Sequence, residues 1–139
     1  MTDRTITLAR MKKRAEFLRV TRARTSAGMP GLVLQACPWG DTMSPRQAAT
    51  VSEKMYQDAG GGDGARIGFT ASKKVGNAVT RNRAKRRLRA LSAEVMTRHA
   101  EPGLDYVLIA RQSTATRSYA ALRGDLERAL KRLKLWRDV

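Results

Sequence analysis

Between Lys73 and Ala93 the chain carries eight cationic side chains and no acidic one. Six of them, Arg81, Arg83, Lys85, Arg86, Arg87 and Arg89, fall within nine residues. Threaded through this stretch, Ala84, Leu88, Leu91 and Val95 recur at spacings of four, three and four, the period of an α-helix with one apolar stripe. At about 100° per residue, Arg81, Lys85 and Arg89 share one ridge, and Arg83 and Arg87 share another beyond the stripe. Asn82 and Arg86 point away from it. Such a helix must bury its stripe in a core while its remaining surface stays positive. A charged helix face is ordinarily held by i,i+4 pairs of opposite sign, and here there is no acid to form them. Like charges at that spacing destabilise a helix by a few tenths of a kcal/mol, roughly, per pair. An external anion offsets this, and five arginines to one lysine in the cluster favour phosphate, which the planar guanidinium grips two oxygens at a time.

The whole chain repeats the bias. Its 139 residues hold 28 Lys and Arg against 12 Asp and Glu, a formal net charge of +16. A polyanionic partner follows, and nucleic acid suits it better than an anionic membrane. No apolar run approaches the ~20 residues that span a bilayer. Residues 1–10 lack the apolar core of a signal peptide, and neither end shows a lipidation signal, so the expectation is a soluble, cytoplasmic protein with no membrane partner. The lone cysteine, Cys37, cannot form an intramolecular disulfide, and no Cys/His cluster suggests a metal site. The lone histidine, His99, reads as a solvated residue at a helix end.

At this length one domain with one modest core is expected, spanning 1–139. The first nine residues show no period and read as loose. Residues 10–22 suit a helix with Met11, Ala15 and Leu18 on its stripe and Phe17 and Val20 beside it. Gly and Pro punctuate 27–31, with room for one short strand before Gly31. Residues 32–37 form a short apolar strand ended by Pro38. Residues 38–64, with two prolines and a glycine-rich close, read as a flexible insertion. In 65–72, Ile67, Phe69 and Ala71 alternate with polar or small residues, so one face of a strand is apolar. A helix follows within 77–98, ended by Pro102-Gly103. Residues 105–111 are apolar at nearly every position, a strand covered on both faces. Leu122, Leu126, Ala129 and Leu133 mark a last helix, with Ser118 or Thr116 as its cap. This order gives an α+β fold: a small two-layer α/β sandwich, helices packed on a three- or four-stranded mixed sheet.

The segment joining strand to basic helix is equally telling. Gly76 allows backbone conformations closed to other residues, Asn77 can cap the helix, and Lys73 and Lys74 precede it. The spacing of a P-loop is absent.

From Ile67 through Lys73-Lys74-Val75-Gly76-Asn77 to Arg81-Asn82-Arg83 and on to Arg89, the sequence closely resembles the signature of the bacterial ribonuclease P protein family. Lys12-Lys13-Arg14-Ala15-Glu16-Phe17 resembles the family's first helix, and Asp105 to Arg111 its strand after the basic helix. The likeness covers about 10–36 and 65–133. It implies a left-handed βαβ crossover, an exception to the usual right-handed rule. It further implies a subunit of a ribonucleoprotein whose RNA, with magnesium bound mainly by that RNA, hydrolyses the phosphodiester that joins the 5′ leader to precursor tRNA.

Carried onto this sequence, the resemblance assigns Lys73, Lys74, Asn77, Arg81, Asn82, Arg83, Lys85, Arg86, Arg87 and Arg89 to the ribonuclease P RNA. It assigns Lys13, Arg14, Phe17, Thr21 and Gln35 to a cleft for the single-stranded leader. Thr21 and Gln35 stand where many relatives carry Phe and Tyr, so stacking in the cleft rests on Phe17. The protein itself has no carboxylate cluster or His pair for catalysis, and no obligate protein partner is expected. The rival readings are a non-enzymatic RNA-binding or ribosome-associated protein and, more weakly, a DNA-binding protein. No helix-turn-helix spacing supports the latter.

Overall fold

The computed structural model describes residues 5–39 and 64–138. Of the insertion expected at 38–64, all but Pro38, Trp39 and Gly64 lies outside the described residues. The elements are β1 (Thr7–Arg10), α1 (Arg14–Arg22), β2 (Ser26–Gly28), β3 (Leu32–Pro38), β4 (Gly64–Thr70), α2 (Ala78–Leu91), β5 (Leu104–Ala110) and α3 (Tyr119–Arg132). The strands form one mixed sheet in the order β1-β4-β5-β3-β2. β1, β4 and β5 run parallel, while β3 is antiparallel to both β5 and β2.

β5 occupies the centre of the sheet, and this explains why its sequence lacks alternation: covered on both faces, every position but Ile109 is buried. α2 lies between the parallel neighbours β4 and β5, supplying the helix of a βαβ unit. One sheet face carries the main core. There Leu32, Leu34, Tyr106 and Leu108 meet Ala84, Leu88 and Leu91 of α2 and Leu122, Leu126 and Leu130 of α3. A smaller cluster of Met11, Val20, Cys37 and Val107, flanked by Phe17, Ala23 and Ile109, fills the opposite face beneath α1. The α+β class stands, with α1 added as a partial third layer.

Five strands replace the expected three or four, and β1 accounts for the surprise. Residues 7–9 were expected to be loose because they show no period, and Arg10 was expected to open the first helix. They are instead recruited by main-chain pairing with β4, from Thr7 opposite Gly64 to Arg10 opposite Ile67. Backbone pairing at a sheet edge demands no apolar pattern. The short strand expected before Gly31 is β2.

The first helix consequently starts at Arg14 rather than at residue 10. Its N-terminus is tied by Glu16, whose Oε1 accepts from the backbone N–H groups of Lys13 at 2.8 Å and Lys12 at 3.2 Å. Its phase also differs from the expected stripe. Phe17, Val20 and Ala23 face the sheet, whereas Ala15 is exposed and Leu18 is 37% exposed.

α2 begins as read: Asn77 Oδ1 accepts from Thr80 N at 2.9 Å. Beyond Leu91 it continues through a π turn, Ser92–Met96, and a last α turn, Thr97–His99. Ser118 caps α3, accepting from Ala121 N at 3.1 Å. His99 does end a helix but is not freely solvated. Its ring stacks on Trp136 with centroids 4.0 Å apart, and Nδ1 lies 2.9 Å from the Arg137 carbonyl. No helix among the described residues is long and apolar enough to cross a membrane.

Candidate nucleic-acid interface

α2 sorts its residues as the spacing requires. Ala84, Leu88 and Leu91 are fully buried, while Asn82, Arg83, Arg86 and Arg89 are exposed. Arg81, Lys85 and Arg87 sit half-buried on the flanks. Among the described residues none of these cations pairs with an acid, so the face presents uncompensated charge. Lys73 and Lys74 extend it as exposed residues of a 3₁₀ turn, Lys73–Val75. Gly76 follows at φ 148°, a left-handed-side conformation that side chains resist, and a Cβ there would also press on Thr80 at 3.0 Å. Glycine thus lets the strand-to-helix segment turn with Asn77 at the cap. That capping bond commits Asn77 to structure.

Arg87 differs from its neighbours. Its Nη1 donates to the Thr114 carbonyl at 2.6 Å, tethering α2 to the 3₁₀ turn Gln112–Ala115 after β5. The turn is anchored again by Thr114 Oγ1, which donates to Gly31 O at 2.6 Å and accepts from Arg111 N at 2.7 Å. Arg81 buries its Nε without a hydrogen-bond partner among the described residues. A fully exposed role thus fits Arg83, Arg86 and Arg89 better than Arg87.

The second set of residues lies across the sheet. Lys13, Arg14 and Thr21 are exposed on α1, and Thr21 Oγ1 donates back to Phe17 O at 3.1 Å. Phe17, half-buried, lies over Gly68 of β4 so closely that a Cβ on Gly68 would come within 2.5 Å of its Cζ. Gln35, half-buried on β3, stands opposite Val107 and so shares the α1 side of the sheet. The structure therefore gathers Phe17, Thr21 and Gln35 with α1 on one side, and the Lys73–Arg89 set on the other.

The alternation of residues 65–72 suggested an apolar face and a polar one. In fact Arg66 is 3% exposed and belongs to an ionic network under α1. Its Nε donates to Asp105 Oδ1 at 2.6 Å, and its two terminal nitrogens pair with Asp105 and Glu16. Arg19 of α1 joins Asp105 Oδ2 at 2.8 Å, and Trp39 Nε1 donates to Oδ1 at 2.7 Å. Asp105, wholly buried, thus binds two guanidinium groups and one indole. Sequence reasoning missed this network, and the available signal was an Asp opening an otherwise apolar strand. A second fully buried acid, Asp125, pairs with Arg117 and Arg128 and accepts from Gly31 N at 3.1 Å. Among the described residues no group of three or more His, Cys, Asp or Glu is placed to hold a metal ion.

The family model described as Ribonuclease P matches residues 7–134. The ribonuclease P protein component of Paramagnetospirillum magneticum is 49% identical over 126 residues, covering 91% of this chain and 83% of that one. The corresponding protein of Ruegeria pomeroyi is 44% identical over 124 residues, covering 88% and 84%. Among solved structures, the RNase P protein of Staphylococcus aureus superposes with a TM-score of 0.64 at 26% identity, covering 92% of this chain and 97% of the other. The Thermotoga maritima RNase P protein shares the fold, with a TM-score of 0.60 at 22% identity and coverage of 90% and 94%.

Proposed function

The chain belongs to the ribonuclease P protein family, and from that premise we propose that it serves as the protein subunit of ribonuclease P, binding the catalytic RNA through α2 and the precursor tRNA leader beside α1. The observation that carries this reading is the acid-free outer face of α2, where Asn82, Arg83, Arg86 and Arg89 stand exposed. Lys73 and Lys74 continue that face, while Arg81, Lys85 and Arg87 bound it. Asn77 contributes by fixing where the helix begins. Between them these groups offer charge and bidentate donors to RNA phosphates across one face of the helix.

The leader runs, in this reading, along the α1 side of the sheet. Phe17 offers a stacking face, Gln35 and Thr21 offer hydrogen bonds, and Lys13 and Arg14 offer charge at the helix start. The holoenzyme removes the 5′ leader by hydrolysis of one phosphodiester. Among the described residues the buried carboxylates are committed to guanidinium groups: Asp105 to Arg19 and Arg66, Asp125 to Arg117 and Arg128. This donor set does not fit a protein-held magnesium ion, and the metal chemistry is assigned to the RNA. The residues 1–139 act as a single RNA-binding domain, located in the cytoplasm with the precursor tRNA pool.

Reconstitution with the organism's own ribonuclease P RNA tests the proposal. Precursor tRNA cleavage at limiting magnesium is expected to rise on adding protein, while protein alone leaves the substrate intact. Efficient cleavage by protein alone would overturn this division of roles.

A further inference from the structure

α1 is lightly anchored by apolar contact. Of its nine residues, Arg14–Arg22, only Arg19 and Val20 are buried. Val20 joins Met11, Cys37 and Val107 in the small cluster beneath the helix, and Phe17 packs at the margin of that cluster. Hydrophobic burial is non-directional, so one valine leaves the height and rotation of a short helix loosely set. Directional contacts supply them. Glu16 pairs with Arg66, and Arg19 Nη2 donates to Asp105 Oδ2 at 2.8 Å. Arg19 Nη1 also donates to Pro38 O at 3.2 Å. Arg66 is itself held by Asp105, so both helix residues end on one fixed point of the sheet. Charge-assisted bonds to a planar guanidinium are strong and demanding in geometry.

That fixed point lies one step from the seat of Phe17. Arg66 and Gly68 are two apart on β4 and share a face, with Asp105 and Val107 opposite them on β5. Two residues of strand span about 6.6 Å. On α1 the matching residues are immediate neighbours: Glu16 meets Arg66, and Phe17 lies over Gly68. A shift or rotation of the helix therefore moves the ring off its seat. Phe17 is only half-buried, which leaves part of the ring open to a base. Dispersion contact is unforgiving, since a gap of about 0.5–1 Å forfeits roughly a quarter to a half of it.

We propose that Glu16 and Arg66 are positioning residues for the leader, their ion pair fixing α1 on the sheet and so holding Phe17 where a base can stack. The inference rests on the leader reading above and deepens it, since neither residue meets RNA itself. Glu16, Arg19, Arg66 and Asp105 are two acids and two bases, so the layer offers no net charge to a phosphate. The sign of one substitution separates geometry from charge. Glu16→Gln removes an anion, and charge alone would make it tighten the grip on a leader phosphate. Loss of positioning weakens that grip. The amide oxygen of Gln can still accept from the Lys12 and Lys13 N–H groups as Glu16 Oε1 does, so the helix start is kept.

The test uses the full-length chain assembled with ribonuclease P RNA, well below each variant's unfolding midpoint. KM and kcat are measured for precursors with an extended leader and with a single-nucleotide leader. The proteins are the parent, Glu16→Gln, Glu16→Asp, Phe17→Ala and the double variant of Glu16→Gln with Phe17→Ala. A 2-aminopurine base in the extended leader, whose emission rises as it unstacks, reports the ring contact. Glu16→Gln is expected to raise KM for the extended leader about fivefold, the scale of half a stacking contact. Its kcat and its KM for the short leader should match the parent, and the reporter should brighten. Glu16→Asp keeps an anion near Arg66 and should recover part of the loss. Combined with Phe17→Ala, Glu16→Gln should add nothing, because residues that act through one another are not additive.

If Phe17→Ala raises the extended-leader KM while Glu16→Gln leaves it unchanged or lowers it, the positioning role is wrong and the leader reading stands. An equal rise for both leaders, or a full further loss in the double variant, also overturns it, because Glu16 then acts apart from the ring. A loss as large for Glu16→Asp as for Glu16→Gln removes the pair with Arg66 as the cause. If Phe17→Ala itself matches the parent on both leaders, the leader reading fails and the positioning role with it.

Discussion

Arg66 and Asp105 face each other across the parallel β4–β5 pair, in register, with Arg66 Nε 2.6 Å from Asp105 Oδ1. The pair couples the sheet's centre to α1, because Arg19 shares the carboxylate and Glu16 shares the guanidinium. Asp105 is wholly buried, and Arg19 and Arg66 are 8% and 3% exposed. The arrangement is therefore a packed ionic layer between helix and sheet, not a surface pair.

Removing its common anion should be costly. Asp105→Ala leaves two buried guanidinium groups without their carboxylate, and breaking a buried pair in this way destabilises by about 3–5 kcal/mol. Asp105→Asn keeps the shape and part of the hydrogen bonding, so it should lose less while still falling well below the parent. Urea unfolding followed by far-UV circular dichroism measures both. Equal midpoints for parent and Asp105→Ala would contradict the network.

Gly68 forms the floor beneath Phe17, and a methyl group there would sit 2.5 Å from Cζ. Gly68→Ala should therefore lift or tilt the ring out of its seat. Since stacking on an aromatic side chain contributes roughly 1–3 kcal/mol per base, KM for precursors with an extended leader should rise about tenfold. Precursors with a single-nucleotide leader, and affinity for the catalytic RNA, should change little. An equal loss for both substrates would show that Phe17 does not meet the leader.

Arg83 and Arg87 share a ridge in sequence yet differ in structure. Arg83→Ala removes an exposed charge and should lower RNA affinity and the salt slope by one contact, leaving the unfolding midpoint within about 0.5 kcal/mol of the parent. Arg87→Ala also frees the Thr114 carbonyl, and should cost about 1–2 kcal/mol of stability. Paired unfolding and binding titrations separate the two. Matching stability losses would mean that the tether contributes nothing.

This contrast shows where the sequence was readable. Periodicity placed the α2 stripe, and the central strand β5 announced its double burial through continuous apolarity. Asn77 and Ser118 were legible as caps because capping is local chemistry. The rest depended on long-range partners. β1 arises from pairing with a strand more than fifty residues away, which no local pattern encodes. α1 was read out of phase because Phe17, Val20 and Ala23 compete with Ala15 and Leu18 for the buried face, and the ionic layer holding Arg19 decides between them. Arg66 looked like a solvent-facing position on an alternating strand until Asp105 came beside it.

Tyr106 provides a test against pH. Its ring is fully buried in the main core, and its hydroxyl donates to Glu101 O at 2.6 Å. Burial, reinforced by the charge of Glu101, raises its pKa well above the usual tyrosine value of 10.0. The folded state thus favours the protonated phenol more than the unfolded chain does. The resulting stabilisation is complete below pH 10 and is lost as pH rises above the unfolded value toward the folded one. Lysines deprotonate in the same range and add their own slope, so the comparison needs Tyr106→Phe, which cannot ionise there. That variant should be less stable at pH 7, for want of the hydrogen bond, and its midpoint should fall less steeply above pH 10. Thermal unfolding between pH 8 and pH 11.5 checks this, and parallel curves for the two proteins would exclude Tyr106 as the source of the alkaline loss.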